Sequence, residues 1–379
     1  MKHFAFIFLL MTASWGVAGN DLVWPEGTWQ RPADPARVLD PEALAALEAF
    51  AFPTDPESSL KTDGLVIVKD GELVYERYDG DYTPEMRHYA WSVSKSVTNA
   101  LFGAAQYQGL LDIDEPVARY NDTLIDGDRN TTTFRDLLAM SSGVDFNESY
   151  EYGPFLSSVI AMLYTMGRED MGEFAADHPR LANPGSVWRY KSGDSLILMR
   201  ALRDVVGRDR YKDLPWELLF EPLGIESAVW ERDEEGIFVG SSYLHLTPRD
   251  LARFGLLFAR DGVWQDQRIL PEGWVLESAQ LNPAFIATYD DAPDWLRNRA
   301  RYGLHWWSNA GDEAAGIPPA YPDLPQDMLI GSGHWGQKLF VFPSQDLVIV
   351  RTADDRGWGF DTGEFLRLAL AAVTPEASS

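Results

Sequence analysis

The sequence contains no cysteine. That absence excludes disulfides, thiolate metal sites, a catalytic thiol and a lipidated N-terminal cysteine. It assigns no compartment, because an oxidising compartment permits disulfides without requiring them. Basic residues are scarce as well: 32 Lys and Arg stand against 58 Asp and Glu, for a net charge of −26. A surface this acidic repels phosphate backbones and anionic headgroups, so neither nucleic acid nor a membrane surface is an expected partner. Lysine itself occurs only seven times. After residue 19 no apolar run approaches the ~20 residues of a membrane span, so no stable membrane insertion is expected. Apolar residues, in contrast, make up 45% of the chain and aromatics 13%. That is too much for a disordered chain. A length of 379 residues accommodates two domains or one large one.

The chain opens Met1-Lys2-His3, is wholly apolar from Phe4 to Met11, and reaches the small residues Val17-Ala18-Gly19. A basic start, a short apolar run and a small-residue end form the pattern of a secretory signal. Residues 1–19 are read as a cleaved signal peptide, against the alternative of a buried helix or membrane anchor. This reading makes the protein periplasmic or secreted. Loss of Lys2 with that segment takes the net charge from −26 to −27. Residues 20–60, rich in Pro and acidic side chains, read as an N-terminal extension with one helical patch at 41–50.

Asp70-Gly71 between the β-rich runs 65–69 and 72–75 predicts a hairpin. Val93, Val97, Ala100, Leu101 and Ala104 recur at helical spacing, which predicts a buried helix over 92–108 ended by Gly109. Further helices are predicted at 134–140, at 195–206 closed by Gly207, at 247–259 with Pro248 in the first turn, and at 362–373. Segments 338–342 and 347–351 are strand-like. Strands at both ends with helices between them predict an α/β (α+β) chain: an antiparallel sheet built from both termini, flanked by helices, plus a helical lobe. The expected catalytic unit covers 61–379, with its sheet lobe at 61–90 and 300–379 and its helical lobe at about 91–300.

So few lysines make Ser-x-x-Lys easy to audit. Ser58 to Lys61 lies in a polar stretch and reads as a surface coincidence. Ser92-Val93-Ser94-Lys95 instead opens the buried helix. At i and i+3, Ser92 and Lys95 share one helix face. A nucleophile in the first turn sits where the helix dipole favours developing negative charge. A serine hydroxyl needs an adjacent base, and a lysine serves if burial lowers its pKa. The plain alternative is Ser92 as an N-cap and Lys95 as a solvated side chain.

Gly331-x-Gly333-x-x-Gly336, with Asp354 and Asp355 about 20 residues on, imitates a dinucleotide fingerprint. A strand-like run follows those glycines where a phosphate-binding helix would be needed, so the nucleotide reading is rejected. There is no Gly-x-Ser-x-Gly elbow. The six histidines form no metal motif, and no metal or other cofactor is expected. Most of the 14 tryptophans read as core, with the 302–307 segment a candidate cleft lining.

Trp91-Ser92-Val93-Ser94-Lys95-Ser96 at the head of a buried helix resembles the serine β-lactamase and penicillin-binding-protein superfamily. Other segments match in order: Phe134 to Gly143, Asn183 to Asp194, Thr247 to Leu257, Gly262-Val263-Trp264 and Ile269-Leu270-Pro271. The resemblance spans roughly 60–372 and is closest to the class C-like branch, which includes esterases and 6-aminohexanoate-dimer hydrolases. It implies Tyr190 as second catalytic group, passing a proton if Lys95 lowers its pKa. It also implies an oxyanion hole from the backbone N–H groups of Ser92 and Gln337. The chain departs from the family in two places. Ser192 stands where the Tyr-x-Asn motif ends in Asn, and His334-Trp335-Gly336 stands for Lys-Thr-Gly or His-Thr-Gly. Ser192 removes an amide, and Trp335 removes a carboxylate-binding hydroxyl and narrows the cleft. His334 is placed to donate to substrate or polarise Tyr190, and Gly336 lets substrate approach the backbone. The implied function is a serine hydrolase of ester or amide bonds acting on a small-molecule or short peptide-like substrate. The alternatives are a β-lactamase or D-Ala-D-Ala carboxypeptidase, and a non-catalytic cell-wall or β-lactam sensor.

Overall fold

The computed structural model describes residues 22–55, 57–121, 131–150, 153–292, 297, 301–357 and 359–373. Residues 1–19, expected to form a signal peptide, lie outside them. The Asp70-Gly71 turn joins β1 (Thr62–Lys69) to β2 (Glu72–Tyr78). Both turn residues have positive φ, 53° and 82°, as a two-residue hairpin loop requires. Three short strands, β3 (His88–Tyr89), β4 (Val229–Trp230) and β5 (Leu244–Leu246), form a small sheet in the order β3-β5-β4. A two-stranded ribbon pairs β6 (Val263–Trp264) with β7 (Gln267–Arg268). The last strands are β8 (Arg301–Tyr302), β9 (Trp307–Ser308), β10 (Leu329–Ser332), β11 (Lys338–Phe342) and β12 (Leu347–Ala353). The main sheet runs β2-β1-β12-β11-β10-β9-β8, antiparallel throughout, so its two chain ends meet at β1 against β12.

Both faces of this sheet are covered, which is why its central strands read as continuous apolar runs. Val66, Val68, Leu339, Val341, Val348 and Val350 face the larger core. Their neighbours Leu65, Ile67, Phe340, Phe342, Leu347 and Ile349 face a second, smaller one. The helices in chain order are α1 (Pro41–Ala51), α2 (Val93–Tyr107), α3 (Phe134–Leu138), α4 (Ser158–Tyr164), α5 (Met171–Ala176), α6 (Ser192–Val206), α7 (Arg208–Tyr211), α8 (Pro248–Ala259), α9 (Trp274–Ala279), α10 (Pro283–Thr288) and α11 (Thr362–Ala372). α2 and α8 pack into the larger core, α1 and α11 into the smaller. Thus the extension contributes Leu47, Ala51 and Phe52 to a core. Its first described residues run over α8, where Arg253 donates to the carbonyls of Pro25 and Gly27 and Arg260 to that of Val23. Among the described residues no helix is long and apolar enough to cross a membrane.

One helix departs from expectation. α6 begins at Ser192, three residues before the sequence pattern predicts. Lys191, at its N-cap, makes no side-chain cap bond. The carboxylate of Glu148 supplies the cap from 44 residues away, accepting from the Ser192 backbone N–H at 2.6 Å. A cap supplied from across the fold leaves no local signature.

Candidate active site

Ser92 precedes α2 with helical backbone angles, and its hydroxyl makes no capping bond. The hydroxyl instead meets Lys95 Nζ at 3.1 Å and the Tyr190 phenol. Lys95 is 1% exposed, so the solvated-side-chain alternative does not hold. Its Nζ donates to three oxygens, each at 3.1 Å: Ser92 Oγ, Ser192 Oγ and the Ser241 carbonyl. Those three acceptors match the three N–H bonds of an ammonium. Burial opposes that charge and lowers the Lys95 pKa to about 8, while the Glu148 carboxylate partly restores it.

Ser192 Oγ commits its own proton to Glu148 at 2.6 Å, and the Ser241 carbonyl has none to give. When Lys95 is neutral, Ser92 is therefore the partner left to donate into its lone pair. A continuous chain runs from Ser92 through Lys95 and Ser192 to Glu148. Sequence reasoning missed Glu148 and Ser241. Glu148 lies in a polar loop among 58 acidic residues, and nothing nearby in the sequence distinguishes it.

Tyr190 lies against Trp307, ring centroids 5.5 Å apart, and edge-on to Tyr302. Lys95 Nζ is 4.9 Å from its ring centre. The expected lowering of the phenol does not occur. Burial and the Glu148 carboxylate push its pKa above the ordinary value, and the bond to Ser92 offsets only part of that. Trp307 thus borders the site, while Trp306 is fully buried core.

The third motif is a turn between β10 and β11, with His334–Gly336 forming a single helical turn. Gly333 packs so closely that a Cβ there would lie 2.4 Å from the Ala90 carbonyl oxygen. Side chains at 333 would push this turn away from the residues leading into Ser92. Neither the Ser92 nor the Gln337 backbone N–H donates to a protein acceptor among the described residues. His334 is exposed at the rim, its ring stacked on Tyr150 at 5.3 Å and edge-on to Trp91 at 5.4 Å. Burial of part of the ring and the Arg356 guanidinium hold it below its ordinary pKa, hence neutral at pH 7. Trp335 packs on Trp91 at 5.2 Å under Arg356. Trp91, Tyr243 and Trp335 all have positive φ, 46–56°, a costly conformation for bulky residues, and all three meet in one aromatic wall.

Lys61, of the other Ser-x-x-Lys, is exposed. A family profile described as Beta-lactamase matches residues 53–373. The chain belongs to the beta-lactamase family. This beta-lactamase-family chain is 27% identical over 356 residues to the 6-aminohexanoate-dimer hydrolase of Paenarthrobacter ureafaciens, covering 89% of this chain and 86% of that one. Among solved structures, a Bacillus anthracis chain given the same hydrolase name aligns with a TM-score of 0.69 at 21% identity, over 93% of this chain and 89% of that one. EstCE1, a hydrolase with promiscuous acyltransferase activity, aligns at 0.65 and 16% identity, over 87% and 98%. These likenesses fix the fold as that of the β-lactamases and penicillin-binding proteins, and the family is one of hydrolases.

Proposed function

We propose that this chain is an exported serine hydrolase that cleaves an ester or amide bond through an acyl-enzyme on Ser92, in the manner of the 6-aminohexanoate-dimer hydrolases and related esterases. The observation that carries the reading is the buried Lys95 with three oxygen partners, of which Ser92 alone has a proton to give. Neutral Lys95 takes that proton as Ser92 Oγ attacks the substrate carbonyl. The backbone N–H groups of Ser92 and Gln337 receive the oxyanion. Collapse of the tetrahedral adduct breaks the bond to the leaving alcohol or amine. Tyr190, a neutral phenol at rest, hands that group a proton and recovers one from Lys95. Water then enters by the reverse route, releases the acid and restores Ser92. In this assignment Lys95 is the resting base and Tyr190 the shuttle. Ser192 and Trp335, where the family carries an amide and a hydroxyl, favour esters and linear amides over β-lactams.

A fluorophosphonate probe with intact mass spectrometry tests the nucleophile, alongside a panel of p-nitrophenyl esters, a chromogenic cephalosporin, D-Ala-D-Ala peptides and linear amide oligomers. One probe adduct, lost in folded Ser92→Ala, and turnover of esters or linear amides are expected. Cephalosporin turnover far above the esters would overturn the substrate preference. A lasting acyl adduct without turnover would make the chain a sensor.

A further inference from the structure

The Gly-x-Gly-x-x-Gly run and its trailing Asp355, rejected above as a nucleotide site, are brought together for another reason. Arg351 on β12 has a fully buried guanidinium. It is held in a fork by Asp355, Nη1 to Oδ2 at 2.7 Å and Nη2 to Oδ1 at 2.9 Å, and by Thr62 Oγ1 at 2.8 Å. Its Nη1 also donates to the Gly336 carbonyl at 3.1 Å. Asp355 in turn donates its backbone N–H to the Trp335 carbonyl at 3.0 Å. Gly336 has φ +89°, and a Cβ there would lie 2.3 Å from Asp355 Oδ2 and 2.6 Å from Arg351 Nη1. The turn is pressed against a buried ion pair that only glycine can meet.

The carbonyl of Gly336 and the N–H of Gln337 belong to one peptide unit. That unit is planar and trans, so its C=O and N–H point in opposite directions. Anchoring the oxygen to Arg351 therefore aims the Gln337 N–H away from the ion pair, and that N–H has no protein acceptor among the described residues. A charged donor on an amide oxygen also polarises the amide and strengthens its N–H as a donor.

We propose that Arg351, fixed by Asp355, is a positioning residue that orients and polarises the Gln337 N–H for the oxyanion of the acylation and deacylation steps. The proposal rests on the reading of that N–H as an oxyanion donor. Arg351 touches no substrate and acts through the Gly336 carbonyl. Loss of one oxyanion donor costs roughly 10²–10³ in rate, and an effect relayed through a peptide should be smaller.

The test uses Arg351→Lys and Asp355→Asn in the full chain, with Arg260→Lys as a control. Arg260 makes a comparable fork to Asp346, away from the turn. Both test variants should lose roughly tenfold or more in ester kcat, with KM changed by less than about threefold. The infrared stretch of a ¹³C-labelled acyl-enzyme carbonyl should move to higher wavenumber, reporting weaker hydrogen bonds to it. The control should lose thermal stability while keeping kcat and the carbonyl stretch. Unchanged kcat and stretch in Arg351→Lys would overturn the proposal even with Ser92 fully acylated. Absence of any Ser92 adduct in the wild type would instead sink the underlying enzyme reading. If Arg351→Lys does not fold, Asp355→Asn carries the comparison. Should both fail to fold, Gly336→Ala provides it, since a Cβ there must displace the same guanidinium.

Discussion

At the residue scale, the proposed mechanism depends on a lysine whose pKa burial brings towards neutrality. Burial lowers the Lys95 pKa from 10.5 to about 8. The base form is the neutral amine, so acylation should rise with pH and level off above about 8. At pH 7 about one molecule in ten would be competent. Glu148 acts against burial by stabilising the ammonium. Glu148→Gln removes that attraction, so the Lys95 pKa should fall further and the acid limb of the kcat/KM profile should shift to lower pH. Gln retains an oxygen able to accept the Ser192 N–H, which separates charge from capping. Stopped-flow acylation by a p-nitrophenyl ester, measured from pH 5 to 10, checks both statements. An acid limb that stays in place in Glu148→Gln would remove Glu148 from the titration. Ser92 and Lys95 were legible because the spacing rule places them on one face of one helix. Glu148 was not, because its partners come from chain segments 44 and 53 residues away.

At the scale of elements, the residues behind Tyr190 matter as much as those in front. Lys191 Nζ, at the N-cap of α6, lies 3.3 Å from Asp194 Oδ2 in its first turn, both fully buried, and Ser142 Oγ donates to Asp194 Oδ1 at 2.6 Å. Removing one partner of a buried pair leaves an uncompensated charge. Asp194→Ala should cost on the order of 3–5 kcal/mol. Urea unfolding checks that figure, and fluorophosphonate labelling of Ser92 should slow, because the pair anchors the segment that leads from Tyr190 into Ser192. The paired variant Lys191→Met with Asp194→Leu should recover much of the stability, since buried ion pairs are often no better than apolar residues of similar volume. Elements whose signal is local were readable: the Asp70-Gly71 hairpin, α2 from its apolar spacing, α8 from Thr247-Pro248. The start of α6 was not, because the stretch from Lys191 to Asp194 looks like a polar turn. Its burial follows from contacts with Glu148 and Ser142, on segments the local pattern does not include. The strand-like run after Gly336 was readable as β11, whereas the left-handed Trp335, which sets His334 at a rim of aromatic rings, has no local signature.

At the scale of the whole molecule, the two-ended sheet was legible because strand-like runs stand at both ends of the chain with helices between them. The N-terminal extension was legible in composition and in its helical patch at 41–50, which α1 matches, and the anchoring of its first residues uses Trp24 and Trp29. Arg260 lies 4.2 Å over the Trp24 ring, and Trp24 meets Trp264 edge-on at 5.1 Å. Trp29 donates its indole N–H to the Arg249 carbonyl at 3.2 Å, and Leu73 donates its backbone N–H to Gln30. Arg249, Arg253 and Arg260 thus hold an arm that begins within a few residues of the proposed signal cleavage. Cleavage after Gly19 would leave these contacts intact, whereas a cut after residue 31 would remove them all. Intact mass of protein expressed with its leader in a Gram-negative host should show loss of 19 residues and recovery from the periplasm. A retained leader would overturn the export reading. Deletion through residue 31, expressed without the leader, uncovers Trp264 and leaves the Arg253 and Arg260 guanidinium groups without their arm carbonyls. It should cost on the order of 3–5 kcal/mol, the sum expected from a few charged hydrogen bonds and cation–π contacts. Because the arm's contacts are with Arg249, Arg253, Arg260, Trp264 and Leu73, and none is with Ser92, Lys95 or Tyr190, the labelling rate of the protein that remains folded should stay within about twofold. A larger loss at unchanged stability would mean that α8 transmits the arm's docking to the site.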